Sequence, residues 1–251
     1  MVGRAPAVLS GRRRAALAAP LAALVAWDAL AAELPTISDR LDLALVALVL
    51  LPAAFAAAWL LLPVAEARLL PAAAVALVAA ALVLGVAGLG AAFNVAKLLA
   101  LMLLGFWFLR LLEELWWVVL VAALIPWADI FSVYRGPTRE VVEERPGLFE
   151  RIAVEFSIPG EHDAARIGPP DVFFFAIFLA AAARFGLRPG ATWVGMTAGL
   201  ALTLYATDVL DVAGLPALPA ISLGFLLPNA DLLWRALRER SARPSSDVDS
   251  R

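Results

Sequence analysis

The chain is a succession of long apolar runs broken by short polar or glycine-rich joints. A helix that crosses a bilayer needs about 20 predominantly apolar residues. Such runs fall at Ala15–Leu34, Leu41–Pro63, Leu69–Gly88, Ala91–Leu109, Leu111–Tyr134, Asp171–Gly186, Ala191–Val212 and Leu215–Leu237, which predicts eight membrane helices. Gly85–Gly90 reads as a tight turn between two of them, and the charged stretch Arg110–Glu114 separates two others. One joint is unlike the rest. Arg135 to Arg166 covers 32 residues with five Arg and seven Asp or Glu, and it divides five helices from three. Within it, Leu148–Ile158 partly alternates apolar and polar positions, as a strand does. A short amphipathic helix on the membrane surface is the other reading of that stretch.

These breaks divide the chain into N-terminal membrane helices (1–110), a helix at 111–134, a polar extramembrane loop (135–168), C-terminal helices (169–237) and a polar tail (238–251). The expected fold class is an all-α polytopic membrane protein.

Composition sharpens this picture. Of 251 residues, 63% are hydrophobic and 17% charged, against roughly 45–50% and about 25% in soluble chains. The mean hydropathy is +0.87. Neither a disordered chain nor a single soluble core fits. The absence of cysteine excludes a disulfide scaffold, a Cys nucleophile, Cys-ligated zinc and Fe–S clusters. A net charge of -2 gives no electrostatic attraction for nucleic acid. The expected partner is therefore the lipid bilayer.

Orientation follows from Arg near helix ends. Arg4, Arg12, Arg13 and Arg14 precede the first helix, and Arg235, Arg238, Arg240 and Arg243 follow the last. Both termini then face the cytoplasm and the 32-residue loop lies outside. The first run reads as an uncleaved signal anchor: Ala29-Leu30-Ala31 has the small-residue pattern of a cleavage site, but Asp28 interrupts the apolar region before it. Abundant Ala and Arg beside a single Lys, Lys97, suggest a GC-rich prokaryotic genome and so a plasma membrane.

Charged groups inside a bilayer are expensive and usually functional. The intramembrane acids are Asp28, Asp129 and Asp171, with Asp208 and Asp211 at shallower depth. Glu113, Glu114 and Asp231 lie near helix ends, where snorkelling or capping accounts for them. Asp129 lies near the end of one helix and Asp171 in the first turns of the next, so both carboxylates fall at a similar shallow depth below one face. Two carboxylates brought close cannot both ionise easily and titrate as a pair. One can activate water while the other protonates a carbonyl. The bland reading is that Asp171, after Gly168-Pro169-Pro170, is a helix N-cap and Asp129 an interfacial acid. The only histidine, His162, stands in the polar loop outside any His-Glu-x-x-His pattern, which excludes a zinc intramembrane protease. Trp107, Trp116, Trp117 and Trp127 fit an interfacial aromatic belt.

Three stretches carry a family resemblance. Trp127-Ala128-Asp129-Ile130-Phe131-Ser132-Val133-Tyr134-Arg135 resembles the first aspartate motif of the presenilin family. Gly168-Pro169-Pro170-Asp171 with the aromatic run Phe173-Phe174-Phe175 is similar to its Gly-x-Gly-Asp motif. Pro216-Ala217-Leu218 resembles its Pro-Ala-Leu motif. The order is the family's, and the likeness covers 111–236. It implies a presenilin-like bundle and an intramembrane aspartyl protease of the presenilin and signal-peptide-peptidase type. Asp129 and Asp171 would be the catalytic pair, with Gly168, Pro216, Ala217 and Leu218 shaping the site. Substrates would be membrane-spanning polypeptides or remnant signal peptides, and neither metal nor organic cofactor is required. The sequence departs from the pattern at Ala128, where the family has Tyr, and at Pro170, where it has Gly. The family core has nine helices where eight are counted here. A proton- or cation-coupled transporter or channel using the same acids is an alternative, as is a catalytically silent relative that binds membrane helices.

Overall fold

The computed structural model describes residues 10–135, 146–161, 164–212 and 214–241. Nearly all of them are helical. Helix α1 (Gly11–Leu30) continues as a 3₁₀ turn to Glu33. Helix α2 runs over Asp39–Val64, α3 over Leu70–Val86, α4 over Gly90–Phe108 with a 3₁₀ turn to Leu111, and α5 over Leu115–Arg135. Of the described residues, α1, α2, α4 and α5 are long and apolar enough to cross a membrane. A short helix, α6 (Pro146–Ile152), precedes a two-stranded antiparallel hairpin, β1 (Val154–Ser157) and β2 (Ala164–Ile167). Helices α7 (Pro169–Arg184), α8 (Pro189–Val209) and α9 (Leu218–Leu226) follow, and α10 (Ala230–Ser241) closes the described chain.

The joints have local causes. Gly88, at φ 72, terminates α3, with amide bonds from Gly88 to Gly85 and from Leu89 to Leu84 satisfying the last carbonyls. In α2, Pro52 lacks an amide and crowds the carbonyl one turn earlier, and the helix widens to a π-type turn at Val46–Leu50 just before it.

Helix α7 is the hub. Val172 and every residue from Phe175 to Ala182 are buried. A helix apolar all round belongs inside a bundle, and nine of the 16 residues of α7 are buried. Phe175 meets Phe55 of α2 at 4.0 Å between ring centroids, and Phe178 stacks on Phe225 of α9 at 5.0 Å. Gly105 of α4 lets α7 approach until the two backbones touch. Helices α8 and α9 cross as closely, with Gly195 against Gly224 and Gly199 against Ala220. Small residues spaced by four are a common device for close packing of membrane helices.

The apolar run Leu215–Leu237 is not one helix. The chain turns through Leu227-Pro228-Asn229 and restarts as the charged α10. Pro228 cannot continue the ladder, and the buried Asn229 fixes the break. Its side chain donates to Thr192 Oγ1 at 2.8 Å and to the Phe225 carbonyl at 2.7 Å, and accepts from the Arg188 amide at 2.8 Å. The Arg188 guanidinium then grips Asp231 with two bonds of 2.7 and 2.8 Å. That grip holds the Asp231 carboxyl below its ordinary range. The stretch Leu148–Ile158, which reads as either strand or surface helix, divides: helix to Ile152 and strand from Val154.

Candidate functional site

The site is built from two helix beginnings and one helix end. Strand β2 runs directly into α7. Gly168 is the N-cap of α7, with Pro169 and Pro170 in its first turn. Amides at these positions have no partner within a helix, so two prolines there cost no helical hydrogen bond. Asp171 is therefore not the N-cap. It sits two residues beyond Pro169, and its Oδ2 reaches back to accept the Gly168 amide at 3.2 Å. This is the reciprocal half of a capping box. The Asp171 amide in turn donates to the Gly168 carbonyl at 3.1 Å.

Asp129 lies on α5, less than one turn after Pro126, whose missing amide takes one bond out of that helix. Its Oδ2 accepts the backbone amide of Leu218 at 3.0 Å. Leu218 is the first residue of α9, and the N-cap, Ala217, has no side-chain oxygen to offer. Asp129 thus provides, from another helix, the cap that α9 lacks. Pro219 in the same first turn has no amide to satisfy.

Each carboxylate therefore sits at the positive end of a helix dipole. Helices α5, α7 and α9 pack against one another, and the charge of Asp129 acts on Asp171. Both aspartates are half-buried, as are Gly168, Pro216 and Ala217, while Leu218 is buried. One turn along α9 from Leu218, the Ser222 hydroxyl is buried without a hydrogen-bond partner. Each carboxylate is held by a backbone amide at a helix start, and the backbone beside them at Pro216–Ala217 is irregular.

The other acids fall elsewhere. Asp28, on α1, accepts a hydrogen bond from the Ser157 hydroxyl in β1. Asp208 and Asp211 are exposed at the end of α8, where Asp211 adopts a left-handed φ of 49. His162 lies outside the described residues. Among the described residues, no three His, Cys, Asp or Glu stand together as metal ligands.

Three further polar residues, inside the apolar helices α2 and α4, are buried and escape a reading by apolar runs. Asp42 of α2 is buried with one carboxylate oxygen unbonded. Asn94 and Lys97 of α4 are buried and bind the backbone around β1. Their signal was present: a polar pair three apart in an apolar helix shares one face. No protein-family model matches the chain, and no characterised protein matches it in sequence.

Proposed function

We propose that this chain is an intramembrane aspartyl protease of the presenilin and signal-peptide-peptidase type, with Asp129 and Asp171 as its catalytic pair. One observation carries the reading. The carboxylate of Asp129 accepts the amide of Leu218, 89 residues away, so the stretch that resembles the first aspartate motif meets the Pro-Ala-Leu stretch in space. A Cβ on residue 168 would crowd Asp171 Oδ2 at 3.2 Å, which adds a local reason for a glycine three residues before the second aspartate.

The chemistry follows from a dyad that shares one proton. The ionised carboxylate takes a proton from water as the water oxygen bonds to the scissile carbonyl carbon. The protonated carboxyl gives its proton to the carbonyl oxygen, forming a gem-diol. Collapse of the gem-diol delivers a proton to the amide nitrogen and breaks the C–N bond, leaving an acid and an amine. Substrates are membrane-spanning polypeptides or remnant signal peptides, whose helices must unwind locally before a peptide bond is accessible.

In this reading the bundle is presenilin-like. Helices α3, α7 and α8 and the segment Leu215–Leu237 complete eight spans with the four long helices, in a prokaryotic plasma membrane with both termini in the cytoplasm. Prolines at 169 and 170 suit the start of α7, so Pro170 in place of the family's Gly is compatible with the site.

The test is cleavage of a single-span substrate by the purified chain in detergent. Loss of cleavage in both Asp129→Ala and Asp171→Ala is expected, and cleavage surviving either change removes the dyad. A proton- or cation-coupled transporter is the competing reading, favoured by the unbonded oxygen of buried Asp42. It requires ion flux in vesicles that Asp42→Asn abolishes.

A further inference from the structure

In an antiparallel pair, alternate residues of a strand turn their backbone groups toward the partner strand and the rest turn theirs away. Along β1 the groups turned away belong to Ala153, Glu155 and Ser157. Side chains from the membrane helices engage all three residues. Lys97 Nζ donates to the Ala153 carbonyl and, at 3.2 Å, to that of Arg151. Asn94 makes two bonds to Glu155, donating to its carbonyl at 2.6 Å and accepting its amide at 2.9 Å. The Trp27 indole donates to the Ser157 carbonyl at 2.9 Å.

The Asn94 pair imitates what an opposing strand would do, because an amide side chain offers one donor and one acceptor side by side, as a peptide does. Asn94 and Lys97 are 8% and 9% exposed, so each would be an unsatisfied buried polar group without the hairpin, and the hairpin edge would be unsatisfied without them. Lys97 also rests over the Phe93 ring at 4.6 Å, within the field of Glu155 and Asp28. The lock is therefore specific in register. A slip of one residue along β1 would present the wrong groups to all three side chains.

This lock bears on the candidate site through β2. Val154 pairs with Ile167, and Ile167 is followed by Gly168, whose amide holds Asp171. Further along, α4 seats α7 through Gly105 against Phe173, two residues beyond Asp171. Helix α4 thus fixes the segment carrying Asp171 from both sides.

We propose that Asn94 and Lys97 of α4, with Trp27 of α1, are positioning residues that act as a surrogate third strand on β1 and set where β2 delivers the Gly168–Asp171 turn. The inference rests on the protease reading for its catalytic consequence, but the lock itself is measurable without proteolysis. The full-length chain in detergent is compared with Asn94→Leu and Trp27→Phe by hydrogen exchange and by single-span substrate kinetics.

For Asn94→Leu, amide exchange over Val154–Ser157 and Ala164–Gly168 is expected to rise roughly tenfold, with Phe175–Ala182 unchanged. Its kcat is expected to fall roughly tenfold with KM within about twofold, the signature of a displaced reacting group rather than lost binding. Unchanged hairpin exchange in both variants overturns the lock. A freed hairpin with unchanged kcat overturns its positioning role. Should Asn94→Leu loosen the whole bundle, Trp27→Phe decides, because it keeps an aromatic ring at that place and loses the pyrrole half of the indole with its N–H. A few-fold rise confined to the hairpin supports the lock, and none refutes it. A wild-type chain that cleaves nothing removes the protease reading, and the exchange comparison still decides the lock.

Discussion

A Cβ atom placed on Gly105 would stand 2.6 Å from the carbonyl oxygen of Phe173 and 2.9 Å from the Ala176 Cβ. Neither neighbour is the free end of a flexible side chain, so the helices themselves must separate. Gly105→Ala is expected to destabilise the bundle by about 1–3 kcal/mol, the usual cost of overpacking, and to lower substrate cleavage because Asp171 rides on the displaced turn. Thermal unfolding in detergent and a cleavage assay check both. Wild-type stability in this variant would mean that α4 and α7 have room to spare.

The bond from the Leu218 amide to Asp129 separates structural from chemical loss. Asp129→Asn keeps an oxygen for the amide, so its stability should match the wild type. Asp129→Ala removes the cap of α9 and should lose about 1 kcal/mol. Both variants should be inactive in cleavage. Equal stability of the two variants would show that the bond contributes little to folding.

Gly168 has φ -64 and ψ 147, a conformation any residue adopts, so its backbone does not demand glycine. What it provides is space, since a Cβ there would lie 3.2 Å from Asp171 Oδ2. Gly168→Ala should therefore leave stability near the wild type while lowering kcat by roughly tenfold or more through displacement of the carboxylate. A large loss of stability with kcat preserved would contradict this division.

The clasp between Arg188 and Asp231 gives a pH dependence with a definite sign. The hydrogen bonds from Arg188 hold the Asp231 carboxyl below its ordinary range. A carboxyl depressed in the folded state stabilises above its unfolded value, about 3.9, and that contribution fades as pH falls through the lower folded value. The Tm difference between wild type and Asp231→Asn should be present at pH 6–7 and shrink as the pH falls below about 4. A difference constant down to pH 2 would assign the effect to something other than ionisation.

Much of this architecture is legible in the chain because hydropathy and glycine act locally. The turn at Gly85–Gly90 and the break at Arg110–Glu114 fall where the sequence puts them. Asp129 near the end of α5 and Asp171 at the start of α7 flank the polar loop, a matter of spacing alone. What escapes depends on distant partners. The run Leu215–Leu237 is apolar throughout its first half, and its break at Leu227–Asn229 is held by Arg188 and Thr192 of another segment. Asn94 and Lys97 disappear in any average over α4, and their meaning depends on where β1 docks. The opposed pairs Gly195–Gly224 and Gly199–Ala220 look like ordinary small residues until two helices are laid across each other.

The burial of α7 has one more consequence. Its apolar surface meets protein rather than lipid, so its depth is set by Phe55, Gly105 and Phe225 and not by the thickness of the bilayer. Helix α5 is the opposite case, with Leu124, Trp127 and Phe131 all exposed, and a helix facing lipid tilts to match the membrane around it. Asp171 is thus fixed by protein alone, while Asp129, tied to the protein through Leu218, rides on a helix that also answers to the lipid. The bilayer's thickness becomes an input to the spacing of the two carboxylates, and lipids of graded chain length are the means to vary it.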